Sequence, residues 1–146
     1  MIYGKRFANY DRTSVETAGK VELIIMCYDK AIQSLAQSKA HYQSHEYELK
    51  ARRLQKALDI INELQGCLDL EQGGQIARNL DAIYTYTTQR LLIGDIKGNL
   101  AAFDEVIHIL GELKDAWQAI SSKKESQFSD IAVTDSPRIG MAQVAA

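Results

Sequence analysis

Apolar residues recur every three or four positions through four long stretches of this 146-residue chain. This spacing is close to the 3.6-residue turn of an α-helix and predicts four amphipathic helices. Proline occurs only at position 137, so it interrupts none of the four stretches. The four predicted core stripes are Val21, Ile24, Ile25, Tyr28, Ala31, Ile32, Leu35 and Tyr42; Tyr47, Ala51, Leu54, Ala57, Leu58, Ile61, Leu64 and Leu68; Ile76, Leu80, Ile83, Tyr84, Thr87 and Leu91; and Phe103, Val106, Ile107, Leu110, Leu113 and Trp117.

Short breaks separate these stretches. The first helix should end near 44–46, and Gly73-Gly74 should separate the second helix from the third. Gly94 is predicted to cap the C-terminus of the third helix, and Asp95 to cap the start of the fourth. Connections this short place consecutive helices antiparallel. The sequence therefore predicts an all-α fold, an antiparallel up-down-up-down four-helix bundle, over residues 19–121, with helices at 20–43, 47–70, 74–93 and 97–120.

The two ends of the chain lack a sustained period. Residues 1–18 form a predicted polar-aromatic N-terminal arm, and residues 122–146 are expected to be a mobile tail.

Some apolar residues lie away from the predicted core stripes. At 100° per residue, two on the first helix point almost opposite to its core face, and three on the second share one off-core position. Tyr86 and Ile93 on the third helix flank the core face. Second apolar stripes on several helices indicate a partner groove, unless the arm and the tail cover them. The two interpretations are compatible if the N-terminal arm covers the groove until the partner binds. The predicted contact residues are Leu23, Met26, Leu49, Ile60, Cys67 and Tyr86.

The composition argues against several functional classes. Apolar residues make up 46% of the chain and the net charge is −2, so there is no basic footprint for nucleic acid. No apolar run approaches the roughly 18 residues of a spanning helix, so direct membrane insertion is not expected. The N-terminus is too polar for a signal peptide, and Cys27 and Cys67 are isolated. We therefore expect a cytosolic protein with reduced thiols.

The chain offers little catalytic chemistry. Glu105 and His108 form one Glu-x-x-His motif, whereas di-iron four-helix bundles use two. His41 and His45 are four residues apart at a predicted helix end, without a third ligand nearby, which favours a solvated pair. The sequence thus predicts no metal, no cofactor and no enzymatic activity.

Several motifs resemble one known family. The chain contains Tyr10, then Val15-Glu-Thr-Ala18, then Leu23-Ile-Ile-Met-Cys-Tyr-Asp29. A longer segment, Leu68-Asp-Leu-Glu-Gln-Gly-Gly-Gln-Ile-Ala-Arg-Asn-Leu80, leads through Tyr84-Thr-Tyr86 to Arg90-Leu and Glu112-Leu-Lys-Asp-Ala-Trp117. In this order and spacing, over residues 5–120, the motifs resemble the flagellar secretion chaperone FliS family.

The chain departs from the family pattern at three places. It has Gly19-Lys20 where the family usually has Ser-Pro, so the start of the first helix is less defined. It has Lys30 where glycine is frequent, and Thr87-Thr88 replaces a more apolar pair.

The resemblance implies a partner and a role. The partner would be the disordered C-terminal segment of flagellin, held so that it does not polymerise in the bacterial cytosol. The chaperone would then deliver flagellin to the export-gate membrane protein of the flagellar type III secretion apparatus. The alternative is a helical-bundle adaptor for a different partner helix. The signature residues predicted to anchor the arm and to take part in partner binding are Tyr10, Val15, Glu16 and Thr17.

Overall fold

A computed structural model describes the backbone of residues 2–123 and the side chains of residues 19–122. Four helices cover almost all of this part of the chain: α1 (Ile2–Gln43), α2 (Tyr47–Gly66), α3 (Gly74–Lys97) and α4 (Leu100–Lys123). Each helix lies beside the next along the chain, and α4 lies beside α1, while diagonally opposite helices make no close backbone contact within the described residues. The predicted all-α four-helix bundle is confirmed.

Gly19 interrupts α1. Its φ of 85° and ψ of 163° are not helical, and only glycine adopts this conformation without strain. The uninterrupted bundle helix therefore starts directly after Gly19, at the position where the chain departs from the Ser-Pro pair. The side chains of the predicted arm and all of residues 124–146 lie outside the described residues.

The closest pair of helices is α1 and α2, which share the most extensive backbone contact. A stripe of small residues on α1 makes this possible, because Ala31, Ser34 and Ser38 are buried and follow one another at helical spacing. The Ser38 hydroxyl donates to the Lys50 carbonyl oxygen over 2.8 Å, so the buried polar group is satisfied.

A hydrogen bond crosses the centre of the core. The Tyr28 hydroxyl on α1 lies 2.6 Å from the Tyr84 hydroxyl on α3, and both side chains are buried. Trp117 of α4 also hydrogen-bonds to Tyr28. Burial raises the pKa of Tyr28 to about 12, against the lowering effect of these two hydrogen bonds. The surrounding apolar cluster consists of Ile24, Ala31, Leu35, Leu54, Ala57, Leu58, Ile61, Leu64, Leu68, Leu80, Leu91, Phe103, Val106 and Leu110.

Both turns at one end of the bundle have the same backbone geometry. Gly98 is left-handed (φ 66°) and ends α3, with Asn99 N–H donating to the Gly94 carbonyl over 2.8 Å and Gly98 N–H to the Asp95 carbonyl over 3.2 Å. This is a Schellman motif. His45 has the same role after α1 at φ 61°, with Glu46 N–H bonded to the His41 carbonyl.

The predicted end of the third helix is wrong. Gly94 is buried inside α3, and a Cβ placed there would lie 2.5 Å from the Cβ of Ala102, so glycine is needed for the close approach of α4. The side chain of Asn99 caps α4 by accepting from Ala101 N–H over 3.1 Å. Asp95 does not cap a helix, and its carboxylate accepts from Lys50 Nζ of α2 over 2.6 Å.

At the opposite end, a longer connection joins α2 to α3. Helix α2 ends at Gly66, short of the predicted position 70. The buried Asp69 organises the connection, because its carboxylate accepts from Gln72 N–H over 3.1 Å and its carbonyl from Gly73 N–H over 2.7 Å. None of the four helices, over the residues described, has the length and hydropathy needed to cross a membrane.

Replacing Tyr28 by Phe should lower the free energy of unfolding by about 1–3 kcal/mol, because it leaves the buried Tyr84 hydroxyl and the Trp117 indole without their partner. Urea unfolding followed by circular dichroism would measure this. The double variant Tyr28→Phe/Tyr84→Phe should lose less than the sum of the two single variants. Strict additivity would show that the two hydroxyls do not interact.

The same pair predicts a dependence on alkaline pH. Since the folded-state pKa of Tyr28 is about 12 and the unfolded value is 10.0, its contribution is fully present below pH 10 and is lost as the pH rises from 10 to 12. Chemical unfolding at pH 9, 10 and 11 should show falling stability. The decline should be shallower in the Tyr28→Phe/Tyr84→Phe variant, which keeps every lysine; equal slopes would contradict the assignment.

Candidate functional site

Exposed apolar side chains are concentrated on α3. Tyr86, Leu92 and Ile93 are 45–50% exposed and Ile96 is 83% exposed. Among the described residues, α1 carries one exposed large apolar side chain, α2 carries two and α4 carries none. Contiguous exposed apolar surface marks sites for partners. The remaining large exposed apolar residues, within the described part, are Met26, Tyr47, Leu49 and Leu70.

Hydrogen bonds identify the two flanks of α3. Asp81 and Thr85 accept from the amide of Gln65 on α2, so they face α2. Leu92 lies seven residues after Thr85 and therefore on the same flank. Tyr86 donates to Glu105 of α4 over 2.5 Å, and Ile93 lies seven residues after it, on the α4 flank.

Ile96 lies between these flanks. Leu92, Ile93 and Ile96 thus surround the solvent-facing half of the last two turns of α3, and we call these three residues the α3 ridge.

Helices α2 and α3 have the least close backbone contact of the four adjacent pairs. Polar contacts bridge the two helices at two levels, Gln65 to Asp81 and Lys50 to Asp95. We call the surface between these bridges the α2–α3 groove.

The floor of the α2–α3 groove contains an unsatisfied hydroxyl. Thr88 lies two helical turns from Asp81, and Leu58 lies two turns from Gln65, so the two are level with each other. The Thr88 Oγ1 is buried and has no hydrogen-bond partner among the side chains of residues 19–122 or the described backbone. The neighbouring Thr87 differs, because its hydroxyl donates to the Tyr84 carbonyl over 2.8 Å. An uncompensated buried hydroxyl at this level is a local cost to the packing of α3.

A polar cluster borders the α3 ridge on the α4 side. Glu105 accepts from the Tyr86 hydroxyl and from Arg90 Nε, each over 2.5 Å. The hydrogen bond from Tyr86, followed by that from Arg90, lowers the pKa of Glu105, and the same contact raises the pKa of Tyr86. The cluster therefore holds the Tyr86 ring against the seam between α3 and α4.

The predicted contact residues fall on two separate faces. Tyr86 lies on the α3–α4 seam, as described above. Met26 and Leu49 are about 40% exposed, and Ile60 and Cys67 are partly buried against the core. On α2, the last three share a flank opposite to Gln65, which faces α3. They therefore lie on the outer side of the α1–α2 pair, away from the α3 ridge.

The predicted exposure of Leu23 is wrong, because this side chain is only 5% exposed. Leu23 lies four residues before Cys27 and eight before Ala31, so it extends the small-residue stripe that faces α2. The close approach of α1 and α2 widens the buried face of α1 on this side. A role of Leu23 in partner binding is untested. The side chains of Tyr10, Val15, Glu16 and Thr17 lie outside the described residues.

The sequence does not predict the exposure of two residues of the α3 ridge. Interpreting Gly94 as a cap leaves Ile96 outside any helix, and Leu92 follows the core residue Leu91 directly. Gly98-Asn99 is a stronger stop signal than Gly94-Asp95, since it joins a left-handed glycine to a capping side chain.

The histidines have local partners. His41 Nδ1 lies 2.8 Å from Glu46, and His45 Nδ1 lies 2.8 Å from the Tyr47 hydroxyl. His108 lies 3.3 Å from Glu112, whereas Glu105 points to α3. Across residues 19–122, no three His, Cys, Asp or Glu side chains are arranged to hold a metal ion.

Comparison with known proteins gives one consistent result. The family model for the flagellar protein FliS matches residues 3–124. The flagellar secretion chaperone FliS of Vibrio cholerae is 37% identical over 115 residues, which cover 76% of this chain and 85% of the relative. The FliS of Salmonella typhimurium is 35% identical over 125 residues, covering 82% and 93%. That of Bacillus subtilis is 29% identical over 122 residues, covering 83% and 90%.

Replacing Thr88 by Val should leave the free energy of unfolding unchanged or raise it by up to about 1 kcal/mol, because a buried hydroxyl without a partner is removed. Thr87→Val is the matched control and should cost about 0.5–1.5 kcal/mol, since it breaks the bond to Tyr84. Thermal unfolding of both variants would compare them. A similar loss in both would mean that Thr88 is satisfied in solution.

Proposed function

This chain belongs to the FliS family of flagellar secretion chaperones, and on that premise we propose that its client is the disordered C-terminal segment of flagellin. Binding would keep this segment from polymerising in the cytoplasm. The complex would then be delivered to the export-gate membrane protein of the flagellar type III secretion apparatus. The names of the relatives support secretion, and the surface of this chain supports the kind of client.

The observation that carries the proposal is the apolar surface formed by the α3 ridge. A disordered segment loses conformational entropy when it becomes ordered on its partner, so it requires apolar area to offset that cost. Ile93 and Ile96 are at least half exposed, and Leu92 borders the α2–α3 groove. Burying these side chains would contribute about 25 cal/mol for each Å² of apolar surface removed from water.

The shape of the site favours a helical piece of client. The α2–α3 groove runs along two antiparallel helices, and an amphipathic helix can place its apolar face in such a groove. The client would contact the exposed side chain of Leu92, which borders the groove, with apolar side chains.

The outer side of the α1–α2 pair would add to the contact area. Met26, Leu49, Ile60 and Cys67 lie on the outer side of α1 and α2, and a long client could wrap around the bundle to reach them. We also propose that the arm, with Tyr10, Val15, Glu16 and Thr17, covers part of the client surface until flagellin arrives.

The test is isothermal titration with a peptide of the last ~40 residues of the host's flagellin, a length set by the area needed for coupled folding. We expect one-to-one binding with a negative heat-capacity change. The variant Leu92→Asp/Ile96→Asp should bind at least tenfold more weakly with unchanged circular dichroism, because two charges would be placed in the apolar contact.

The matched control is Gln75→Asp/Asn79→Asp, at exposed positions four residues apart near the start of the same helix. It should bind like the unmodified protein. If all three proteins bind equally well, the client site is not the α3 ridge. If an intact bundle binds no flagellin peptide at all, the client itself is wrong.

A further inference from the structure

The outer side of the α1–α2 pair is basic as well as apolar. On α2, Leu49, Arg53, Lys56 and Ile60 follow one another at spacings of four, three and four, which places them in a single stripe. Arg53 and Lys56 are exposed, as is Leu49. The stripe continues through Glu63 to Cys67.

Helix α1 carries a parallel stripe. Met26 and Lys30 are both exposed and four residues apart, and Lys30 precedes the buried Ala31 by one position, about 100° around the helix. Asp29, on the other side of Lys30, reaches Lys114 of α4, so Lys30 lies toward α2. We call Met26, Lys30, Leu49, Arg53, Lys56 and Ile60 the basic face.

The three cations of the basic face are not neutralised. Arg52 pairs with Glu48 and Lys50 pairs with Asp95, whereas Lys30, Arg53 and Lys56 form no ion pair with any residue that the structure describes. Exposed cations flanked by exposed or partly exposed apolar side chains complement an acidic segment that contains apolar residues.

Such a segment follows α4 in the same chain. Residues 125–135 read Glu-Ser-Gln-Phe-Ser-Asp-Ile-Ala-Val-Thr-Asp and contain three carboxylates, no cation and three large apolar residues, Phe128, Ile131 and Val133. By contrast, residues 1–18 contain three cations and two acidic residues, so they do not complement this face.

The geometry allows the segment to reach the face. Two ion pairs, Lys114 with Asp29 over 2.5 Å and Lys39 with Asp104 over 2.8 Å, align α4 antiparallel beside α1. Lys123 ends α4 nine residues after Lys114, level with the start of the bundle helix of α1. Lys30 then lies only about 15 Å further along α1. The seven residues 125–131 span up to about 23 Å when extended.

We propose that residues 125–135 of this chain dock on the basic face, with their carboxylates beside Lys30, Arg53 and Lys56 and their apolar residues against Met26, Leu49 and Ile60. The docked segment covers this second apolar surface in the protein without its client. This interaction is independent of which client the α3 ridge binds.

A zero-length carbodiimide cross-link on the full chain tests the contact, because it joins an amine to a carboxylate only when the two are paired. We expect cross-linked peptides between Lys30 or Lys56 and Glu125, Asp130 or Asp135, identified by mass spectrometry. Arg53→Glu keeps both lysines and should lower the yield at least fivefold, as should 1 M salt. Lys97→Glu, an exposed cation on α3, is the control and should leave the yield unchanged.

Two results would overturn the proposal. One is the absence of these cross-links in the unmodified chain, or a yield that Arg53→Glu does not change while circular dichroism shows an intact bundle. The other is found by mixing protein of ordinary and heavy-isotope composition. If the cross-links join the two compositions, the occupant of the basic face is a second copy of the chain.

Discussion

The buried hydrogen bond between Tyr28 and Tyr84 sets the arrangement of the bundle. Adjacent helices contact each other directly, and these two large side chains connect α1 to α3 across the diagonal. Two hydroxyls removed from water must meet, and Trp117 must reach the same point, or each group is left unsatisfied. This fixes the longitudinal position of three helices at once, which apolar contacts alone do not do, since they tolerate sliding and repacking.

The positions of the partner surfaces follow from that constraint. Small residues bring α1 close to α2, whereas α2 and α3 have the least backbone contact of the adjacent pairs, and the apolar α3 ridge lies beside their interface. The polar contacts that bridge the α2–α3 groove lie at its two ends. The basic face lies on the outer side of the tight α1–α2 pair. The bundle therefore carries two partner surfaces of different chemistry.

Much of the fold was predictable from the sequence, because apolar residues at helical spacing and the absence of proline leave few alternatives. The core stripes around Tyr28, Leu91 and Trp117 were predicted correctly for that reason. The site was less predictable. The predicted exposure of Leu23 is wrong because the angle around a helix gives the centre of the buried face but not its width. That width depends on how closely the neighbouring helix approaches. The helical position of Ile96 is not predicted, because Gly94 is needed for helix packing and a sequence does not distinguish such a glycine from one that ends a helix.

The two ends of the bundle differ in a way that bears on how the chain can be re-engineered. One end has two tight turns with left-handed residues, His45 and Gly98, and has no spare length. The other end carries the longer 67–73 connection, the break at Gly19 and the end of α4. An even number of antiparallel helices brings the start and the end of the bundle to the same side. A short linker from Lys123 back to Gly19 would therefore close the bundle, and new termini opened at 67–73 would give a circular permutant with all four helices kept intact.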